Sequence, residues 1–345
     1  MAEVTIKDIA KRCGVGVSTV SRAINNHPDI NPETKEMILN TIREAGYVPN
    51  NSARNLKRTN TKSFAVLVKG ISNPFFSEML KVIEEESKKK RYSMYLQHVE
   101  ADVDEMDVAQ ELIKEKRLRG IVFLGGLFSH SEEKVSKLTV PFVFSTVSSF
   151  PQNYDKQFYS SIAVDDRKES AKMVEYLIGL GHKRIAIIVT KPGEESIGLL
   201  RLQGYKDALE KYHIPTDESL IIDAEYDREP YSMNNGYLAA KELIASGVDF
   251  TAVFAVSDTL AIGAQRALLE AGYRIPEQVS VAGYDGLNMI RYLTPSLTTV
   301  KQPAAEIAKE TVRLLFDVIA GKKEHQHIRL EAQICENEST GRVSQ

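Results

Sequence analysis

From Ser63 onward the chain alternates short apolar runs with stretches of helical period, and this alternation constrains the fold more than any other feature. Phe64-Ala65-Val66-Leu67-Val68 reads as a buried strand, followed after Asn73-Pro74 by a helix through Phe76, Met79, Leu80 and Ile83. Tyr92–Gln97, Gly120–Leu124 and Pro141–Ser145 read as further strands, with a helix over Glu105–Lys116 between two of them. A second run begins near Ser161, with strands ending at Val164 and Val189, near Leu220–Ile222, over Ala252–Val256 and over Val279–Gly283. Its helices cover Lys168–Leu180, Leu199–Tyr212, Asn234–Ser246 and Thr259–Ala271. Strands separated by helices in this way build parallel sheets covered on both faces. Two such runs predict an α/β core of two doubly wound lobes. Ligands of such folds bind outside the carboxyl ends of the strands, so a cleft between the lobes is the default pocket.

The first 48 residues follow a different pattern. Thr5 can cap a helix with Asp8 in its first turn, and Ile6, Ile9, Ala10 and Cys13 share one face at helical spacing. Gly14 stands where the chain reverses, a position that favours positive φ. Val15 and Val20 then hold a second helix, Val17 to Ile24, across the first. A small residue, a glycine and an aliphatic residue at these intervals match a DNA-binding helix-turn-helix, and they also match an ordinary helical hairpin. Val17, Ser18, Ser21 and Arg22 would face outward, and an arginine fork can bind guanine O6 and N7 together. Asn31-Pro32-Glu33 opens a third helix that stops at Gly46. Residues 49–61 are polar and basic with one large apolar side chain, Leu56. They read either as a solvated linker or as a short helix whose leucine is a minor-groove wedge.

Composition narrows the partners. Residues 1–62 hold ten Lys and Arg against six Asp and Glu, whereas the whole chain carries a net charge of −3. A small basic module on an acidic body points to a polyanion partner for that module alone. No apolar run approaches the roughly 20 residues of a membrane span, and the N-terminus has no signal-peptide block. With only Cys13 and Cys335, far apart, a disulfide framework or a metal site is unsupported. The expectation is a cytoplasmic protein with no membrane partner, no metal and no cofactor.

Longer motifs now carry a resemblance. Thr5-Ile6-x-Asp8-Ile9-Ala10, Gly14-Val15 and Ser18-Thr19-Val20-Ser21-Arg22-x-Ile24-Asn25 resemble the DNA-binding head of the lactose-repressor/galactose-repressor family of bacterial transcription regulators. Gly46-Tyr47-x-Pro49-Asn50-x-x-Ala53-Arg54-x-Leu56 resembles its hinge. Ile71-Ser72-Asn73-Pro74-Phe75-Phe76, Gly181-His182-x-Arg184-Ile185-Ala186, Arg201-Leu202-x-Gly204-Tyr205, Gly283-Tyr284-Asp285 and Pro295-x-Leu297-Thr298-Thr299-Val300-x-Gln302-Pro303 resemble its regulatory core. The resemblance implies a head over 1–48, a hinge over 49–61 and a periplasmic-binding-protein-like core. Its first lobe would be 62–161 with 292–323, and its second 162–291 with 324–345. It further implies a homodimer on a palindromic operator; no C-terminal heptad helix of the kind that makes tetramers follows.

By the same resemblance Val17, Ser18 and Arg22 match base-reading positions, and Thr5, Thr19, Ser21 and Asn25 match backbone contacts. Ala53 and Leu56 match the hinge. Gly16 departs from the family, where a serine is common. For a small-molecule effector, a sugar or related metabolite, Ser72, Asn73, Phe75 and Phe76 match one wall, Arg201 the effector-binding arginine and Asp285 a carboxylate at a strand end. Ser257-Asp258 stands where many members have Asn-Asp; Asp258 is equally readable as a cap, and Phe75 and Phe76 as core. Tyr226 or Tyr231 could supply another aromatic wall. The run Glu84–Lys90 reads as a solvated helix face, and His325 and His327 alternate like strand residues. The readings in view are a ligand-controlled repressor, a solute-binding protein with the same core, and an α/β enzyme. The last lacks any P-loop, GxSxG or HExxH motif, so no enzyme is expected.

Overall fold

The computed structural model describes residues 4–24, 26–47, 62–100, 102–126, 132–147, 158–190, 196–226 and 229–343. The chain forms two compact units, Met1–Thr61 and Lys62–Gln345. Asn25, Ala53 and Leu56, with all of the expected hinge 49–61, lie outside the described residues.

In the first unit, α1 (Ile6–Cys13), α2 (Val17–Ile24) and α3 (Pro32–Glu44) bury Ile9, Ala10, Val20, Ala23 and Ile38 against one another. The local signals act as read. Asp8 Oδ2 accepts from the Thr5 N–H and hydroxyl at 2.9 and 2.7 Å. Gly14 ends α1 at φ +65°. Asn31 Oδ1 caps α3 through the Glu33 and Thr34 N–H groups. A core this small is marginal by itself.

The second unit contains two six-stranded sheets. The first is built from β1 (Ser63–Lys69), β2 (Ser93–Val99), β3 (Ile121–Leu124), β4 (Phe142–Ser145), β5 (Ser160–Val164) and β11 (His327–Leu330), in the order β11-β5-β4-β3-β1-β2. The second holds β6 (Ile185–Val189), β7 (Ile221–Asp223), β8 (Ala252–Ala255), β9 (Ser280–Asp285), β10 (Thr298–Lys301) and β12 (Gln333–Cys335), in the order β12-β10-β9-β8-β6-β7. Every pairing among the described residues is parallel except β10 with β12. Helices α4 (Pro74–Lys89), α5 (Glu105–Lys116), α6 (Glu132–Ser136) and α11 (Ala304–Ile319) serve the first sheet. Helices α7 (Asp166–Gly179), α8 (Ile197–Lys211), α9 (Met233–Ala245) and α10 (Asp258–Glu270) serve the second.

The crossings between lobes correct the expected boundaries. Strand β5 pairs with β4 through Ser160, Ser161 and Ile162 and with β11 through Ser161 to Val164, so residues 162–164 belong to the first lobe. Strand β10 lies within the expected first-lobe segment 292–323, yet it pairs with β9 through Thr298↔Ala282 and Val300↔Tyr284. Strand β11 lies within the expected second-lobe segment 324–345, yet it pairs with β5. The chain therefore crosses after β5, after β10 and after β11. Parallel partners are non-local, so nothing in these short segments states which sheet they join. Ser160 and Ser161 meet Nδ1 of His325 and His327 at 2.9 and 2.8 Å; His327 opens this edge strand, and His325 lies just before it rather than within it.

Two contacts show how tightly the second lobe is assembled. A Cβ on Gly236 would stand 2.1 Å from the Leu260 carbonyl oxygen, and one on Gly263 2.0 Å from that of Met233. Helices α9 and α10 thus touch backbone to backbone in both directions. His182, buried, meets Thr251 Oγ1 and the Gly341 carbonyl, each at 3.0 Å, and so anchors the C-terminal strap. Burial lowers its pKa, with the Gly341 bond opposing. Its contribution to stability is then present above about pH 6.5 and is lost as the pH falls through the folded-state value. Thermal unfolding is expected to show a steeper loss between about pH 7 and pH 5 in the wild type than in His182→Gln. Equal slopes would contradict it.

Candidate functional site

In the head, α2 presents Val17, Ser18 and Arg22 to solvent, with Thr19 and Ser21 half-buried beside them. Val17 is 42% exposed, unusual for a valine in so small a core and suited to contact with a thymine methyl. Thr5 is exposed at the start of α1, its hydroxyl committed to Asp8. Gly16 precedes α2 and its carbonyl accepts from the Thr19 and Val20 N–H groups, so it occupies the cap position without a capping oxygen. A Cβ there would meet Ser18 Oγ at 3.5 Å and Thr19 Oγ1 at 3.8 Å, ordinary contacts. Gly16→Ser is therefore expected to raise the stability of the head by about a few tenths of a kcal/mol. Thermal unfolding of the head's helical signal checks it; a lower midpoint would show that serine does not cap here.

In the core, a cleft of about 580 Å³ opens between the lobes at the carboxyl ends of the strands. Local capping positions much of its wall. Asn73 caps α4 by accepting from the Phe75 N–H at 3.0 Å, with Pro74 in the first turn, and this brings Ser72, Asn73, Phe75 and Phe76 to the cleft together. Both phenylalanines also pack in the core. Ser196 caps α8 and places Arg201 in the opposite wall. Ser72 Oγ donates to Glu229 Oε2 across the cleft, from one lobe to the other. Of the two candidate tyrosines, Tyr231 lines the cleft; Tyr226 points away and donates its hydroxyl to Glu242.

Arg201 is 5% exposed. Its Nε donates to Asp166 Oδ1 at 2.9 Å, Nη1 lies 3.8 Å from Asp285 Oδ1, and Cζ sits 3.6 Å from the centre of the Tyr284 ring. Burial alone would lower its pKa; Asp166 first, with Tyr284 and Asp285, outweighs that and holds the guanidinium charged. Burial pushes Asp285 up to about 6, against the Arg201 charge and the Gln302 bond at 2.9 Å. Asp285 thus stands behind the wall, joined to two residues that line the cleft, Arg201 and Gln302. It holds φ +125°, and the cleft residue Thr146 holds φ +73°. Non-glycine residues seldom adopt such values, and they cluster at functional sites.

Ser257 and Asp258 are placed differently from the other expected effector residues. Both are fully buried and neither belongs to the described wall of the cleft. Ser257 Oγ caps α10 through the Leu260 N–H at 3.2 Å. Asp258 accepts from the Gly286 and Leu287 N–H groups at 2.8 and 2.7 Å and from Thr299 Oγ1 at 2.6 Å, tying β9, β10 and α10 together. Burial, then the Asp285 charge, push it up to about 8 against those three bonds. The carboxylate points beneath the strand ends, where backbone donors already occupy it.

Sequence reasoning missed the polar groups that give the cleft its charge. Lys69 enters from the end of β1, but Nζ is paired with buried Glu105 at 3.1 Å and bonded to the Val103 carbonyl at 2.9 Å. Glu100, Asp102, Glu225 and Glu229 add carboxylates, and His98, Thr146 and Thr190 add further polar groups. Their position after a strand end was the available signal, and the partnership of Lys69 with Glu105 is non-local. Among the described residues, no group of His, Cys, Asp and Glu could hold a metal ion, and no helix is long and apolar enough to cross a membrane.

A model of the lacI family of bacterial regulatory proteins matches residues 5–50, and one of a periplasmic-binding-protein-like domain matches residues 174–340. The HTH-type transcriptional regulator MalR of Clostridium butyricum is 40% identical over 339 residues, covering 97% of this chain and 98% of that protein. Among solved structures, a complex of the transcriptional regulator CelR with cellobiose aligns with a TM-score of 0.69 at 28% identity, over 98% of this chain and all of that one. A LacI family transcriptional regulator from Enterococcus faecium with bound ribose aligns with a TM-score of 0.69 at 30% identity, over 82% of this chain and 100% of that one.

Proposed function

We propose that this chain, which belongs to the lacI family of bacterial regulatory proteins, represses transcription as a dimer under the control of a neutral carbohydrate held in the interlobe cleft. It is a DNA-binding transcriptional regulator with an effector-binding core. The observation that carries the carbohydrate reading is the charge of the cleft. Its described wall holds Glu100, Asp102, Glu225 and Glu229, while its lysine and arginine, Lys69 and Arg201, are each paired with buried carboxylates. Such a wall repels phosphate and carboxylate ligands and offers forked hydrogen bonds to hydroxyls. Phe75, Phe76 and Tyr231 supply the apolar surfaces that a sugar ring covers. The relatives solved with cellobiose and with ribose hold neutral sugars.

On the DNA side, α2 enters the major groove of each half of a palindromic operator, with Val17, Ser18 and Arg22 reading bases and Thr5, Thr19, Ser21 and Asn25 on the backbone. Ala53 and Leu56 belong to a hinge whose leucine unstacks the central step. Sugar binding changes the closure of the lobes, in which Ser72–Glu229 takes part, and with it the spacing of the two heads. The protein acts in the cytoplasm, with no role for catalysis.

A thermal-shift screen tests the ligand class, since a ligand of the folded state raises the midpoint by mass action. Neutral mono- and disaccharides are expected to give the stabilising hits, and their phosphorylated forms none. Stabilisation by sugar phosphates or nucleobases alone would overturn the carbohydrate reading.

A further inference from the structure

On the exposed face of α2, Arg22 is tethered. Its Nη1 lies 3.3 Å from Asp29 Oδ2, in the turn between α2 and α3. Asp29 is fixed in its turn: His27 Nδ1 reaches its Oδ1 at 2.5 Å, and α3 starts immediately afterwards on the Asn31 cap. The side chains are 58% and 50% exposed, so the pair adds little to the stability of the head. What it does is restrict the longest side chain on the reading face. An arginine fork carries more donors than the two acceptors of guanine require, so one nitrogen can be held from behind while others meet a base edge.

We infer that Asp29 is a positioning residue for base readout, holding the Arg22 guanidinium in a limited range of orientations before DNA arrives. This rests on Arg22 as the base reader of the preceding section. The carboxylate has a second effect of opposite sign. It puts a negative charge on a surface that approaches phosphates, and so weakens sequence-independent attraction. Asp29 therefore raises discrimination between sequences while lowering affinity for all of them.

The experiment is selection from randomised duplex DNA with the full-length protein, read as base preference at each position, together with the affinity for random DNA. Wild type, Asp29→Ala, Arg22→Ala and the double variant are compared. Arg22→Ala is expected to erase the preference at one position of each half-site. Asp29→Ala is expected to reduce the preference at that same position by about two- to fivefold. It leaves other positions unchanged and tightens binding to random DNA. The double variant has the base preferences of Arg22→Ala. Asp29→Ala that leaves this position intact, or relaxes every position equally as a folding defect would, overturns the inference while Arg22 keeps its role. Arg22→Ala with all preferences intact removes the base-reading assignment itself, and the inference with it.

Discussion

Arg201→Ala is expected to destabilise the core by about 3–5 kcal/mol and to abolish effector binding, because it uncovers two buried carboxylates at once. Asp166 and Asp285 are 1% and 3% exposed, and the guanidinium is the charge that opposes the cost of their burial. Without it, both carboxyls move further up from their already raised values. Carboxyls raised in the folded state favour folding at low pH, and that advantage is lost as the pH rises through the folded values. The variant is therefore expected to be least impaired near about pH 5 and most impaired near about pH 8. Denaturant unfolding across that range measures it. A loss of stability independent of pH would mean that the arginine acts by packing alone.

Asp258→Ala is expected to cost about 3 kcal/mol or more while leaving effector affinity within about threefold of wild type at temperatures where the variant is folded. Two backbone N–H groups and the Thr299 hydroxyl would lose their shared acceptor in a fully buried place. Denaturant unfolding reads the loss of stability and calorimetric titration of the sugar reads affinity. The contrast with Arg201→Ala is the test: both residues are buried ionisable groups, and only Arg201 lines the cleft. A large loss of sugar affinity in folded Asp258→Ala would return that carboxylate to the binding site.

That contrast also shows where sequence reasoning stops. The head was legible because its signals are local: the bonds of Thr5 to Asp8, the left-handed Gly14 and the Asn31 cap each act within a few residues. The alternation of strands and helices was legible for the same reason. Which sheet β5, β10 and β11 join was not, since parallel partners such as Thr298 and Ala282 carry no mark of each other. The wall after β1 was recognisable from Asn73-Pro74, whose capping geometry brings Ser72, Phe75 and Phe76 to the cleft. At β9 and α10, by contrast, a polar residue after a strand can point into the cleft or under the strand ends. Asp258 meets two backbone donors beneath them, a difference that only the assembled lobe decides. Asp29 escaped notice because a carboxylate in a turn has many roles, and only the position of the Arg22 fork assigns one.

The central claim is that occupancy of the cleft alters the DNA affinity of the head, and the most direct measurement is operator affinity with and without a saturating sugar from the thermal-shift screen. The expected result is a change in operator Kd by some factor, matched by the same factor in the sugar's Kd when operator DNA is bound, because such coupling is reciprocal. A sugar that saturates the cleft, with Arg201→Ala abolishing its binding, yet leaves operator Kd unchanged, would contradict the account.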